Sequence, residues 1–411
     1  MSDCVLNKDV LGSTWGDSVS RKFWFLEAGN LCAAARKRTG LRDFGDPPVQ
    51  PALTILANSL EEEAELHPLG RFLMRVHLRG LLETRLKLTE LWRHHPPAAT
   101  VSDKQPIFIT GMPRSGSTFL HELLAEDPDN RAPRVWEVMF PVPESPVAKG
   151  ALDPRIRKAA ACLWWFRRLA PQADAVFPMR SHTPHECVAI HSYSLLSEEF
   201  VSTCRIPRYE AFLRQADLTP AYRWERRFLQ HLQTGCSERR WVLKSPDHVH
   251  GLEALFAAFP DARIIQTHRN PFEVLKSSCH LTEVLHGLYA RPGRDSDLAS
   301  RESSVLAKTA ERFINFRDHH PELAGRFADV TYEDIVADPL NVVRRIYQQF
   351  EMPLSREAVE RMQLLAHRRS RYARPRHTTP LDVTLTALAD ASCFERYCSR
   401  FKIGWRQTRT P

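Results

Sequence analysis

The sequence predicts an α/β fold, a central parallel sheet flanked by helices in three layers, with an α-helical N-terminal domain ahead of it. Three observations carry that expectation. Up to about residue 103 the chain shows helical periodicity and no strand, beyond it short apolar runs alternate with helical patterns, and the first of those runs feeds a glycine-containing loop. The expected division is a helical domain over 1–103 and a second domain over 104–411. A chain of 411 residues has room for it at roughly 150 residues per domain.

Within the first region, Lys22 to Lys37 reads as a helix stopped by Thr39 and Gly40. A second run after Pro51 sets Leu53, Leu56, Leu60 and Leu66 at near-helical spacing. A third, from Leu69 to His94, interleaves Leu73, Val76, Leu81, Leu82, Leu86 and Leu91 with basic residues, as a long amphipathic helix does. HHPPAATVSDKQP then breaks the pattern as a linker. Strands are expected at 106–110 (PIFIT), 241–244 (WVLK), 262–268 (ARIIQTH) and 327–333 (FADVTYE). No internal repeat is visible.

Composition removes several classes. With 43% hydrophobic and 26% charged residues the chain is neither disordered nor collagenous. Its longest apolar run, Ala159 to Phe166, falls short of the ~18 residues of a membrane-spanning helix. MSDCVLNKDV lacks the basic and apolar stretches of a secretory signal. Nine cysteines, an odd number scattered from Cys4 to Cys398, form no disulfide framework, and Cys393 with Cys398 has the wrong spacing for zinc. A soluble cytoplasmic protein without a metal is expected. Lys plus Arg exceed Asp plus Glu by 57 − 49, a net +8, so an anionic partner suits the chain. No nucleic-acid signature accompanies that charge.

After the first expected strand comes Gly111-Met112-Pro113-Arg114-Ser115-Gly116-Ser117-Thr118, then a helical pattern through Phe119, Leu120, Leu123 and Leu124. Strand, glycine loop and helix N-terminus together make a phosphate cradle, so the fold is read as P-loop-like. The glycine spacing matches a Walker loop, yet Ser117 stands where that motif needs Lys, and the basic residue comes earlier, at Arg114. The loop reads as built for a single phosphate without metal, which disfavours a kinase. A second anion site is expected at THRNPFEVLKSSCHL, where Asn270 caps a helix, Pro271 suits its first turn and Arg269 sits at a strand's carboxyl end. Ser277 lies eight residues on, about 80° around the helix from Arg269. Two phosphate sites at strand ends point to a nucleotide phosphorylated at two positions.

On these residues the chain resembles the sulfotransferases that use 3'-phosphoadenosine 5'-phosphosulfate (PAPS), most closely a soluble bacterial-type branch with a helical N-terminal extension. RTGLRDFGD, PIFITGMPRSGSTFLHELLAEDPDNRAPRVWEV, VLKSPDHVHGLEALFAAFPDARIIQTHRNPFEVLKS and VTYEDIVADP carry the resemblance, in this order. It implies sulfuryl transfer to a hydroxyl acceptor, less readily to an amine, with PAPS as co-substrate. Arg114, Ser115, Gly116, Ser117 and Thr118 would then hold the 5'-phosphosulfate, and Arg269 with Ser277 the 3'-phosphate. Phe119 occupies the place of an adenine-stacking aromatic, and Tyr332 would contact the base. The basic stretch from His367 to His377 is a candidate to complete the 3'-phosphate site.

Two chemical jobs remain. Lys244, ending a strand on the same rim as the loop, is the candidate to neutralise charge on the leaving oxygen. Glu137, beside Trp136 and Val138, is the first candidate for the general base. His248 and the pair His185 and Glu186 stand behind it. HECVAIH is not HExxH, since Ala189 holds the fifth place, and no G-x-S-x-G elbow occurs. Trp164, Trp165, Phe166 and Phe177 are candidates for an apolar acceptor pocket for a small molecule, lipid or glycan, or else for the core. A non-catalytic binding module for a phosphorylated ligand or nucleic acid is the alternative class. The Leu-rich N-terminal helix suits either a lid or a homodimer.

Overall fold

The computed structural model describes residues 25–97, 104–144, 151–234, 236, 239–291, 297–371 and 391–404. Three helices open the chain: α1 (Ala28–Thr39), α2 (Gln50–Glu62) and α3 (Pro68–His94). Then follow β1 (Ile107–Gly111), α4 (Ser117–Leu124), β2 (Asn130–Arg131), α5 (Val135–Met139), α6 (Pro154–Leu169), α7 (Pro171–Val176) and α8 (Cys187–His191). α9 (Glu199–Thr203), α10 (Pro207–Gln215) and α11 (Thr219–Gln233) lead to β3 (Arg240–Lys244), α12 (Leu252–Ala258) and β4 (Arg263–His268). The last part holds α13 (Pro271–His286), α14 (Leu298–His319), β5 (Phe327–Thr331), α15 (Tyr332–Ala337), α16 (Pro339–Gln349), α17 (Arg356–Arg371) and α18 (Ala391–Phe401).

The five strands form one parallel sheet in the order β2-β3-β1-β4-β5. Ile107, Phe108, Ile109, Val242, Leu243, Ile264 and Ile265 are fully buried, as strands covered by helices on both faces require. Register fixes the functional rim. Ile109 pairs with Lys244 and Gly111 with Thr267, so the carboxyl ends of β3, β1 and β4 come together.

The expected strands are all present, with one boundary moved. The segment read as FADVTYE leaves the sheet at Thr331, whose Oγ1 accepts from the Asp334 N–H and starts α15, so Tyr332 is helical. β2 was not expected. Two residues carry no periodicity, and its pairing with β3 is tertiary.

The three expected helices are present, the first starting only at Ala28 although the sequence places residues 25–27 within it. Gly40 ends α1 in the left-handed conformation at φ 74°. Leu53, Leu56 and Leu60 are buried along α2, whereas Leu66 falls beyond its end. α3 buries Leu81, Leu82 and Leu86 but leaves Val76 exposed. These helices share a continuous apolar core with Phe108, Trp241 and Leu243 of the sheet. Arg85 of α3 is fully buried at the junction and donates to the carbonyls of Phe44, Tyr193 and Pro47. Its charge is satisfied by backbone oxygens and by the Trp224 ring 4.2 Å away.

Candidate functional site

The loop after β1 has a shape that its glycines permit. Gly111 (φ 147°) passes so close to β4 that a Cβ there would lie 2.2 Å from the Thr267 carbonyl oxygen. Gly116 (φ 87°) is the N-cap of α4 and packs against Tyr332 and Ile335, leaving no side-chain cap on the helix. The α4 N-terminus therefore presents a partial positive charge at the strand rim. Arg114 adopts φ 62°, a left-handed conformation that costs about 1–2 kcal/mol for a side-chain-bearing residue. That conformation is held by Arg269, whose Nη1 donates to the Arg114 carbonyl at 2.8 Å.

Two guanidinium groups thus stand together. Arg114 Nε donates to Ser277 Oγ at 2.9 Å, and Arg269 lies over the Tyr332 ring at 4.1 Å. Arg114 makes no ion pair among the described residues, and Arg269 has only Glu273 at 3.9 Å. Burial, and then Arg269, pull the Arg114 guanidinium below its ordinary pKa. Asn270 caps α13 by accepting from the Phe272 N–H at 2.9 Å, with Pro271 in the first turn, as the sequence predicts. The two anion sites read from the sequence are therefore neighbours that share Ser277. This weakly compensated cation pair fits a ligand carrying negative charge at two points.

One cavity of about 2980 Å³ joins these residues to the rest of the rim. Arg114, Gly116, Ser117, Thr118, Phe119, Lys244, Arg269, Ser277 and Tyr332 all line it. Ser115 does not. Its hydroxyl turns inward, donates to the Met112 carbonyl and meets Thr267 Oγ1 at 2.6 Å, which pins the loop to β4. The sequence assigned Ser115 to the ligand because its place in the motif does not show which way a side chain points. Of the basic stretch 367–377, residues 372–377 lie outside the described residues, and His367 and Arg368 are on α17. Gly404 is brought to this end of the cavity instead, accepting from Asn270 Nδ2 at 2.7 Å.

Next to the loop, at the carboxyl end of β3, Lys244 is 2% exposed and ion-paired with Glu186. Glu186 and His185 both line the cavity. Glu137 does not, and this corrects its assignment as first candidate for the base. Its Oε1 accepts from Arg131 Nη2 at 2.8 Å, and its Oε2 accepts from the Arg134 backbone N–H at 2.9 Å. The carboxylate caps the start of α5 through the Arg134 backbone N–H, and it is tied to a guanidinium that stacks on Trp241. With both oxygens engaged and the side chain off the cavity, Glu137 is placed as a structural cap in preference to a base.

His248 also lies off the cavity. It lies in the core 1% exposed, its Nδ1 meets Tyr222 Oη at 2.9 Å, and burial holds its pKa down to about 3. It belongs to a buried cluster with Cys187 and Glu225, whose potential ligand atoms lie within 4.8 Å of one another. Burial, with the Glu225 carboxylate adding to it, pushes the Cys187 thiol far up, and Glu225 accepts from His191 at 2.8 Å. Of the acceptor-pocket aromatics, Phe166 and Phe177 line the cavity, whereas Trp164 and Trp165 face outward, 46% and 61% exposed.

Several cavity groups escaped the sequence reading. Asp247, next to Pro246, accepts from Ser245 Oγ at 3.1 Å; burial, and then Glu186, raise its pKa. Glu198 pairs with Arg214, and His77 of α3 meets Glu199 at 2.9 Å. Asp247 had a local signal, its closeness to Lys244. The others had none, because their partners are remote in sequence.

A parallel sheet with a glycine loop at its carboxyl rim, paired arginines beside that loop and a buried lysine on the same rim defines a group-transfer site for an anionic donor. The chain belongs to the sulfotransferase family, whose model matches residues 106–356. It is 28% identical to the omega-hydroxy-beta-dihydromenaquinone-9 sulfotransferase of Mycobacterium bovis over 260 residues, 61% of this chain and 64% of that protein. Less than two thirds of that curated relative is therefore spanned. Among solved structures, sulfotransferase STF1 from Mycobacterium tuberculosis matches 91% of this chain and 97% of its own at 31% identity, TM-score 0.71. Sulfotransferase STF9 from Mycobacterium avium matches 95% and 99% at 25% identity, TM-score 0.77.

Proposed function

We propose that this chain transfers a sulfuryl group from PAPS to the hydroxyl of an apolar, lipid-like acceptor, in line and without a metal ion, in the cytoplasm. The observation that carries the reading is the Arg114 and Arg269 pair beside the loop, in one cavity with the ion pair of Lys244 and Glu186. The donor supplies an activated sulfuryl group, and the rest falls to the chain. Arg114, Gly116, Ser117, Thr118 and the α4 N-terminus hold the 5' end, with Ser115 bracing the loop. Arg269 and Ser277 hold the 3'-phosphate, while Phe119 and Tyr332 flank the base. Lys244 neutralises the leaving oxygen, and Glu186, released when the lysine turns to that charge, takes the acceptor's proton.

An apolar acceptor suits the walls at Leu163, Phe166 and Phe177, and it suits the relative whose name specifies a hydroxylated dihydromenaquinone. A kinase reading is weakened by Ser117 in the place of the Walker lysine. Transfer of radiolabelled sulfuryl from the donor to a hydroxylated isoprenoid quinol, in the presence of a chelator, tests the proposal. Turnover is expected, and Glu186→Gln should lower kcat by about 100-fold or more without weakening donor binding. Magnesium-dependent loss of a γ-phosphate instead, or binding without turnover for any hydroxyl acceptor, would overturn it.

A further inference from the structure

Among the described residues, α6 is covered on one side only. Along its sixteen residues Ala159 and Leu163 are buried, while Trp164, Trp165 and Leu169 are 46%, 61% and 66% exposed. The two indoles pack edge to face on each other, their centroids 4.8 Å apart. At about 100° per residue, these three side chains spread over the face opposite Ala159 and Leu163, and Arg157, Lys158 and Arg168 fall among them. The helix contains no acid. Acids on adjoining segments are engaged: Asp153 with Arg155, Glu144 with Lys158, and Asp174 with Arg180.

Large aromatics interleaved with cations on a solvent-facing helix are the pattern of a helix lying in a lipid interface. The inner side of the same helix, at Leu163 and Phe166, lines the cavity. Lys87 of α3 and Lys158 of α6 both act on Glu144 at the rim between the two helices. Lys87, Glu144 and Lys158 also line the cavity, so the charged edge of α6 reaches it.

We propose that the outer face of α6 docks on an anionic lipid surface and so sets the cavity mouth against a membrane-dissolved acceptor. Its second half rests on the lipid-acceptor reading above, and the docking itself does not. Charge decides the occupant. A second copy meeting this face across a two-fold axis would bring Arg157 and Arg168 towards their own counterparts with no acid on either helix, whereas anionic headgroups answer both.

The test is co-sedimentation of the full chain with vesicles of phosphatidylglycerol and phosphatidylcholine, against vesicles of phosphatidylcholine alone, with neither donor nor acceptor present. The wild type should sediment with the anionic vesicles only. Trp164→Ala with Trp165→Ala should abolish it, and Arg157→Ala with Arg168→Ala should weaken it about 25-fold, about fivefold per cation. Both variants change only outward-facing side chains, and calorimetric binding of 3'-phosphoadenosine 5'-phosphate, unchanged, shows that they fold. A wild type that stays in the supernatant, or vesicle binding undiminished in both folded variants, overturns the proposal. So does a dimer in sedimentation equilibrium that the tryptophan variant dissolves, which would assign the face to a second copy. Lipid turnover without vesicle binding would refute docking and leave the acceptor reading intact. Vesicle binding without lipid turnover would do the reverse.

Discussion

The two ends of the cavity are built on opposite electrostatic plans. The donor end gathers Arg114 and Arg269 with hydroxyls and a helix N-terminus, and among the described residues the one ion pair these arginines make is Arg269 with Glu273 at 3.9 Å. The acceptor end matches charge with charge: Lys244 with Glu186, Arg214 with Glu198 and His77 with Glu199. An unbalanced cluster of cations is stable only with an anion to receive, whereas a balanced network holds shape and moves protons. Binding and chemistry should therefore separate along the cavity.

Lys244 stands at the junction, and its loss should have the largest effect. Lys244→Ala removes the cation that faces developing charge and also frees Glu186 from its partner. A fall in kcat of about 100- to 1,000-fold is expected in single-turnover transfer. Donor affinity measured by calorimetry should change far less. If affinity falls as steeply as kcat, the two ends do not separate at this residue.

Arg269→Ala is the converse. It removes a charged contact to the ligand and also the hydrogen bond that holds Arg114 at positive φ. Affinity for 3'-phosphoadenosine 5'-phosphate should drop about 100-fold, as the loss of charged hydrogen bonds worth about 1.5–3 kcal/mol each implies. Glu186→Gln should leave that affinity within about twofold. Equal losses in the two variants would break the comparison.

The same division explains how much was legible in the sequence. The donor end is made of contiguous segments whose local grammar fixes their geometry: a glycine loop between strand and helix, and an Asn270 cap that sets Arg269 at a strand end. Spacing sufficed for those. Side-chain direction was not legible even there, and Ser115 shows it, since the hydroxyl that looked ready for phosphate braces β4. The acceptor end is assembled from α3, the stretch around α8 and α9, and the turn after β3, and no local pattern says that His77 meets Glu199 across more than a hundred residues. Glu137 was misread for a related reason. A glutamate at the third position of a short helix is read locally as a cap and functionally as a base, and only the partners Arg131 and Arg134 decide between them.

Glu137→Gln sharpens that distinction with a smaller effect. Stability should fall by about 1–3 kcal/mol in urea unfolding, because Arg131 is left without its carboxylate. The folded variant should keep kcat within a few-fold of wild type. A kcat loss of about 100-fold at unchanged stability would return Glu137 to the chemistry.

The smallest expected effect concerns protons held at the acceptor end when nothing is bound. Burial pushes the Glu198 carboxyl from its ordinary 4.5 up to about 7; Arg214 opposes the shift, and Asp247 and Glu210 add to it. The folded chain thus holds that proton more tightly than the unfolded chain does. This contribution to stability is fully present below about pH 4.5 and is lost as the pH rises through about 7. Glu198→Gln keeps the hydrogen-bonding shape but cannot titrate, so its unfolding midpoint in urea should change less than wild type's across that window. Identical pH slopes in the two chains would mean that Arg214 keeps Glu198 ionised throughout. The acceptor end would then be a fixed set of ion pairs, and Glu198 would hold no proton there to exchange.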